Sequence, residues 1–245
     1  MPGLAGPGGF RSTSRGPAGD ANSHDEAVLT PRLVTWIDKF MATHAWSHNE
    51  HYHRWVLRQL PATMRRALDV GCGTGDLVRT LGRRTATVDG IDCDPTMIAQ
   101  ARHSAPPSER TTFTLASLVD LDVRQRYDAI TAVAVLHHVP FEDALQRLAN
   151  AVVPGGRLLV VGCYKEDTLS DRALSLAAVP ANLAVGLYKS RGHRVPPPSS
   201  MRAPSAPATM TLTAIRETAE RVLPGFHLRR ALFWRYLLRY TAPRR

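Results

Sequence analysis

From Arg65 onward, short apolar runs alternate with segments whose apolar residues recur every three or four positions. "RALDVG" is an apolar run that closes on glycine, and it predicts a buried strand. "DLVRTLGR" then predicts a helix. "TATVDGID" predicts a second strand, and "PTMIAQARH" a helix with proline in its first turn. "TTFTLAS" and "YDAITAVAVL" predict strands three and four, "FEDALQRLANAV" a helix, and "PGGRLLVVGCY" a turn into strand five. Strands that are nearly all apolar, alternating with helices, imply a parallel sheet covered on both faces.

The flanks read differently. Residues 1–24 are rich in Gly, Pro and Ser and predict a disordered tail. "LTPRLVTWIDKFMATHA" places apolar residues at Leu33, Ile37 and Phe40 and predicts a helix, and a second helix is expected over about 48–59, stopping at Pro61. After strand five, "DTLSDRALSLAAVPANLAVGLYKS" predicts one or two short helices and "VPPPSSMRAPSAPA" a proline-rich loop. "TLTAIRETAERVL" predicts a helix. "GFHLRRALFWRYLLRY" predicts an antiparallel hairpin bent near Trp234. The expected fold is thus a Rossmann-like, doubly wound α/β sheet of seven strands. It is mostly parallel and closes with an antiparallel C-terminal hairpin. The expected divisions are a tail over 1–24, lid helices over 25–62, a core over 63–163, a cap over 164–210, and a final helix with closing strands over 211–245.

Composition narrows the classes. No stretch has the ~18 apolar residues of a membrane span, and no apolar leader opens the chain. The expected location is therefore the cytoplasm. Three cysteines without a CxxC argue against a disulfide framework or a cysteine zinc site. The net charge is +10 and sits at the C-terminal end, where residues 191–245 hold 11 arginines against Glu217 and Glu220. Such an excess fits either an anionic partner or a solvated arginine-rich surface, and the solvated surface is the reading adopted. "LSLAAVPANLAVGL" could lie on a membrane, but its ionic flanks are few, so no peripheral membrane contact is expected.

The chemistry concentrates in "ALDVGCGTGDL". A strand runs into Gly71-Cys72-Gly73-Thr74-Gly75 and then a helix, a loop that lets a ligand lie against backbone N–H groups. The third glycine of a dinucleotide site is misplaced. Asp69, just before the loop, would repel a pyrophosphate, so a cationic or zwitterionic ligand is expected. Asp92 ends strand two, 17 residues after Gly75, where a carboxylate can accept both hydroxyls of a ribose.

In this order, with the "YDAI" strand ending in "LHH" and then "PGGRLLV", these motifs resemble the class I S-adenosylmethionine-dependent methyltransferases of the bacterial small-molecule type. The resemblance runs from about Arg66 to Gly162 and implies roles. Asp69 would orient the loop and the methionine amino group. Gly71, Cys72, Gly73 and Gly75 would form the cofactor loop. Asp92 would hold the ribose, with Cys93 against the adenine. Ser117 stands where the family usually has Asp, and Leu118 would offer its N–H. Backbone near Val133 would meet the methionine ammonium.

His137 and His138 end strand four, on the carboxyl edge where open α/β sheets bind ligands, and are the candidate bases. "THAWSHNEHYHRW" holds four histidines. With Glu50 its only acidic neighbour, it is read as a lid rather than a metal site, with His48, Asn49, His51 and Tyr52 touching cofactor or substrate. The expected activity is methyl transfer to a small, apolar or aromatic acceptor. Alternatives are an RNA-modifying methyltransferase, for which nucleic acid is not the favoured partner, and a non-catalytic binding protein of the same fold.

Overall fold

The computed structural model describes residues 46–105, 109–124, 126–191, 193 and 206–244. The expected tail over 1–24, the helix before Trp46 and most of the proline-rich loop lie outside them. The first described helix is α1 (His48–Gln59), capped by the Ser47 hydroxyl, which accepts from the Glu50 N–H. Then follow β1 (Arg66–Val70), α2 (Asp76–Leu81), β2 (Thr87–Asp92), α3 (Pro95–Ser104), β3 (Thr111–Leu115) and β4 (Tyr127–Val133). The chain continues with α4 (Phe141–Ala151), β5 (Val152–Cys163), α5 (Leu169–Ser190), α6 (Leu212–Val222), β6 (His227–Ala231) and β7 (Arg235–Thr241). Two single 3-10 turns, Leu118–Asp120 and Leu136–His138, follow β3 and β4.

The seven strands form one sheet in the order β3-β2-β1-β4-β5-β7-β6. The first five pair in parallel, and β7 runs antiparallel to both β5 and β6. Alternate residues of each strand feed opposite cores, as a period of two requires. Leu68, Ile130, Leu158, Val160 and Leu238 face α4 and α6, where Leu145, Leu148 and Ile215 complete one core. Ala67, Ala129, Leu159, Val161 and Leu237 face the other side, where Val56 of α1, Val78 of α2 and Ile98 of α3 complete the second. The order of strands reverses between β1 and β4, so the loops leaving their carboxyl ends part and open a crevice.

Of the flanking elements, one is longer than the sequence suggested and one bends near Trp234 as expected. α5 is a single helix of 22 residues that continues through Pro180, where one or two short helices were expected. A capping box at Thr168 and Asp171 fixes its start, and the alanines and leucines around Pro180 are strong helix formers. The bend of the C-terminal hairpin is Leu232–Trp234, where Phe233 and Trp234 both take positive φ (60° and 57°). Such a turn costs a bulky residue energy. Burial of the Phe233 ring at 1% exposure offsets it.

Candidate active site

The crevice between the β1 and β4 ends is a cavity of about 300 Å³. Its floor is the loop after β1. Gly71, Gly73 and Gly75 take φ of +66°, +52° and +79°, in the left-handed region open to glycine. Their surroundings separate their duties. A Cβ on Gly71 would stand 2.1 Å from Val135 Cγ2, and one on Gly75 would stand 2.5 Å from the Phe113 ring. A Cβ on Gly73 would meet nothing within 4 Å, because this glycine faces the cavity. Gly75 serves packing between the loop and β3, and it does not line the cavity.

Two carboxylates hold the loop in shape. Asp92 accepts from the Gly73 N–H at 2.8 Å with one oxygen and from the Asp94 N–H at 2.9 Å with the other. It therefore ties the end of β2 to the loop after β1 and keeps free lone pairs toward the cavity. Asp69 is 3% exposed, and its Oδ1 accepts from Thr131 Oγ1 at 2.5 Å. Burial pushes its carboxyl up to about 7, with Asp92 adding to the effect and the Thr131 hydroxyl opposing it. Cys72 is buried, which pushes its thiol well up, so it serves as core rather than as a nucleophile. The exposed Cys93 lines the cavity, as do Ser117, Leu118 and Val133. The Ser117 hydroxyl caps its own 3-10 turn, accepting from the Val119 N–H at 3.4 Å.

Beyond β4, Ala134 adopts φ +56° while its N–H donates to Val161 O at 2.7 Å. Strained non-glycine backbone of this kind gathers at functional sites. The following 3-10 turn sets its two histidine rings against each other, with centroids 4.0 Å apart and planes tilted by 39°. His138 lines the cavity; His137 does not. Burial, with His138 and Arg235 adding, pushes His137 down to about 4, and its Nδ1 is enclosed without a hydrogen-bond partner. His137, expected as a candidate base, thus stands outside the cavity lining.

The fourth wall is α1, and here the lid reading divides. Ser47, Asn49, Glu50 and His53 line the cavity. His48, His51 and Tyr52, expected there, turn the other way. The His48 ring stacks on Phe233 (centroids 5.1 Å, 9° between planes) and meets Trp46 edge-on. Its Nε2 lies 3.0 Å from Asn182 Oδ1 of α5. His51 packs edge-to-face on Trp46, Tyr52 and Phe233. The Tyr52 hydroxyl donates to Leu232 O at 2.7 Å. These three residues dock α1 onto α5 and the C-terminal hairpin, a joint worth ~0.5–1.5 kcal/mol per aromatic pair beyond area burial. Glu50, His53, Asp76, Asp94, Met97 and Val135 line the cavity and were not anticipated. The line His48–Tyr52–Val56, spaced by four, marks the docked face of α1 and leaves Asn49 and His53 on another.

In charge, the lining is the reverse of the chain. Among the described residues it holds Glu50, Asp69, Asp76, Asp92 and Asp94 and no lysine or arginine. Arg79 approaches only to pair with Asp76 and to donate to Thr74 O at 2.7 Å. Such a donor set favours a cationic ligand over a phosphate.

Residues 67–156 match the family model described as a methyltransferase domain. The chain is 32% identical over 209 residues to an uncharacterised methyltransferase of Mycobacterium tuberculosis, covering 81% of this chain and 98% of that protein. It is 34% identical over 144 residues to a ubiquinone biosynthesis O-methyltransferase of Xylella fastidiosa, 57% of each chain. Among solved structures, the fold is shared with the N-methyltransferase NodS of Bradyrhizobium japonicum in complex with S-adenosyl-L-homocysteine. That match has a TM-score of 0.53 at 14% identity and covers 84% of this chain and 98% of that one. S-adenosylmethionine is accordingly its cofactor. The chain belongs to the class I S-adenosylmethionine-dependent methyltransferases.

Proposed function

We propose that the enzyme methylates the oxygen or nitrogen of a small, largely apolar or aromatic acceptor. The observation that carries this reading is the cavity itself. It is about 300 Å³, roofed by α1, and lined, among the described residues, by five acidic side chains and no lysine or arginine. That lining suits a sulfonium and an ammonium and offers no cation to a phosphate backbone, which disfavours RNA as the acceptor. The chain's likeness to ubiquinone biosynthesis O-methyltransferases over 57% of its length supports a small-molecule acceptor.

S-adenosylmethionine supplies an electrophilic methyl group on a positively charged sulfur. In this reading Asp69 balances the positive charge from below. Gly71 and Gly73 let the ligand approach backbone, and the oxygens of Asp92 accept from the ribose hydroxyls while holding the loop. Cys93, Ser117 and Leu118 flank the adenine, and the backbone at Val133 faces the methionine end. His138 takes the proton that an acceptor hydroxyl or amine gives up. Asn49, Glu50 and His53 wall the acceptor and exclude water. Burial holds His53 below its usual range, so its imidazole is neutral at pH 7 and joins the wall as an uncharged hydrogen-bonding group.

The test is incubation with isotopically labelled cofactor and panels of phenols, amines and carboxylates, followed by mass spectrometry. A labelled methyl on a phenol or amine is the expected result. Binding of S-adenosylmethionine with transfer only to bulk tRNA would refute the acceptor class. Failure to bind either cofactor or S-adenosylhomocysteine by calorimetry would refute the catalytic reading of the cavity.

A further inference from the structure

Helix α5 buries polar groups along with apolar ones: Asp171 is 1% exposed and ion-paired with Arg230 at 3.0 Å, and Asn182 is buried against α1, beside Ala178, Ala181 and Val185 on the core side. Its outer face is largely apolar. Leu169, Ala173, Leu176, Pro180, Leu187 and Tyr188 fall on one stripe, about 120° wide at 3.6 residues per turn and about 27 Å long. Leu169, Leu176 and Tyr188 are 81%, 75% and 84% exposed. Folding alone gives no reason to leave side chains this large and apolar exposed together on one stripe.

Charge selects the occupant. The only acid of α5 is the buried Asp171, and the Lys189 ammonium lies over the Trp46 ring on the side that faces α1, 4.6 Å from its centroid, so the exposed charges left to the outer side of the helix and its cap, Arg172 and Arg191, are both cationic. In the loop just before the helix, Lys165 stands with Asp167 and with Glu166, which is bonded to Ser175. Leucine, tyrosine and the Arg191 cation therefore adjoin at the C-terminal end. No helix among the described residues is long and apolar enough to cross a membrane. A 22-residue helix with an apolar outer stripe and cationic edges instead suits the plane of a bilayer interface. The stripe is also narrow for a dimer: about 27 Å by the ~10 Å width of a helix gives roughly 300 Å², against about 800 Å² per partner in a stable interface.

We propose that the outer face of α5 docks on an anionic lipid bilayer. Leu169, Leu176, Leu187 and Tyr188 enter the acyl boundary, and Arg172 and Arg191 meet the headgroups. This reverses the expectation from sequence, which weighed the ionic flanks of the segment without knowing that its acid is buried. Docking there sets α1, held to the inner face by Trp46 and His48, beside the membrane.

The test is flotation of the full chain with vesicles of phosphatidylcholine alone and of phosphatidylcholine with phosphatidylglycerol. The protein should float with the anionic vesicles and much less with the neutral ones. The double substitution Leu176→Asp, Leu187→Asp should reduce flotation by about tenfold or more, and Arg172→Glu with Arg191→Glu should reduce it only for anionic vesicles. Calorimetric binding of S-adenosylmethionine, unchanged in each variant, shows that the fold is intact. Three results would overturn the proposal. One is absence of flotation at both compositions. Another is flotation that the leucine substitutions leave unchanged. The third is a photo-crosslinker at position 176 that is captured by a second copy or by residues 1–45.

Discussion

Asp69→Asn should make the free protein more stable and the enzyme worse. The Asp69 carboxyl is enclosed and its proton is lost only near pH 7, against 3.8 for an ordinary aspartate. At ~1.4 kcal/mol per pH unit, that gap sets roughly 4 kcal/mol against the ionised form as an upper bound. The sign follows from proton counts. Below pH 3.8 both folded and unfolded chains hold the proton, and the penalty is absent. Between 3.8 and about 7 the unfolded chain has lost its proton while the folded one keeps it, so stability falls as pH rises. Above about 7 the penalty is complete. Asparagine keeps an acceptor for the Thr131 hydroxyl and removes the charge, so it should gain up to roughly 4 kcal/mol at pH 8 and little near pH 4. A cationic ligand reverses the balance by favouring the carboxylate. Affinity for S-adenosylmethionine should therefore rise between pH 5.5 and 7, level off above, and be lower and flat in the variant. Denaturant melts and isothermal calorimetry across this range measure both halves. An affinity that is flat in the wild type, or equal in the two proteins, would refute the role given to Asp69.

Further outcomes are expected. Gly73→Ala should fold, at a strain of ~1–2 kcal/mol, yet lose cofactor affinity because its methyl enters the cavity. Gly71→Ala should instead lower the melting temperature, because its methyl strikes Val135. Far-UV melts with and without cofactor separate the two. His138→Ala should lower kcat by ~100-fold with little change in cofactor binding. His137→Ala should act on stability instead, and equal kcat losses in the two would defeat the distinction. His48→Ala should loosen α1 by about 1 kcal/mol and raise KM without removing the acid–base group, as steady-state kinetics would report.

The sheet was readable because buried parallel strands are continuous apolar runs, and each ends at a glycine, an aspartate or a helix start. The loop Gly71–Gly75 and Asp92 were readable because their roles are local, set by backbone shape within a few residues. Long-range partners were not readable. The phase of α1 depends on Phe233 and Leu232, some 180 residues away, and without them four histidines look equivalent. His137 and His138 are neighbours in sequence, and only the 3-10 turn after β4 decides which one enters the cavity. Likewise, the outward leucines of α5 became legible only once Arg230 had drawn Asp171 inside.

The joint between α1 and the β6–β7 turn also has a consequence for biosynthesis. A ribosome delivers Phe233 some 185 residues after His48. The central strands can pair while the chain is still emerging, yet β7, which sits between β5 and β6, follows both in the chain. Until the turn between β6 and β7 is made, the helix that roofs the cavity lacks the Phe233 ring on which His48 stacks. Nascent chains truncated before Leu232 are therefore expected to hold the loop that greets the cofactor but not the roof that retains it. Ligand retention would then wait on the C-terminal hairpin, and it would serve as a check that β6 and β7 are both in place.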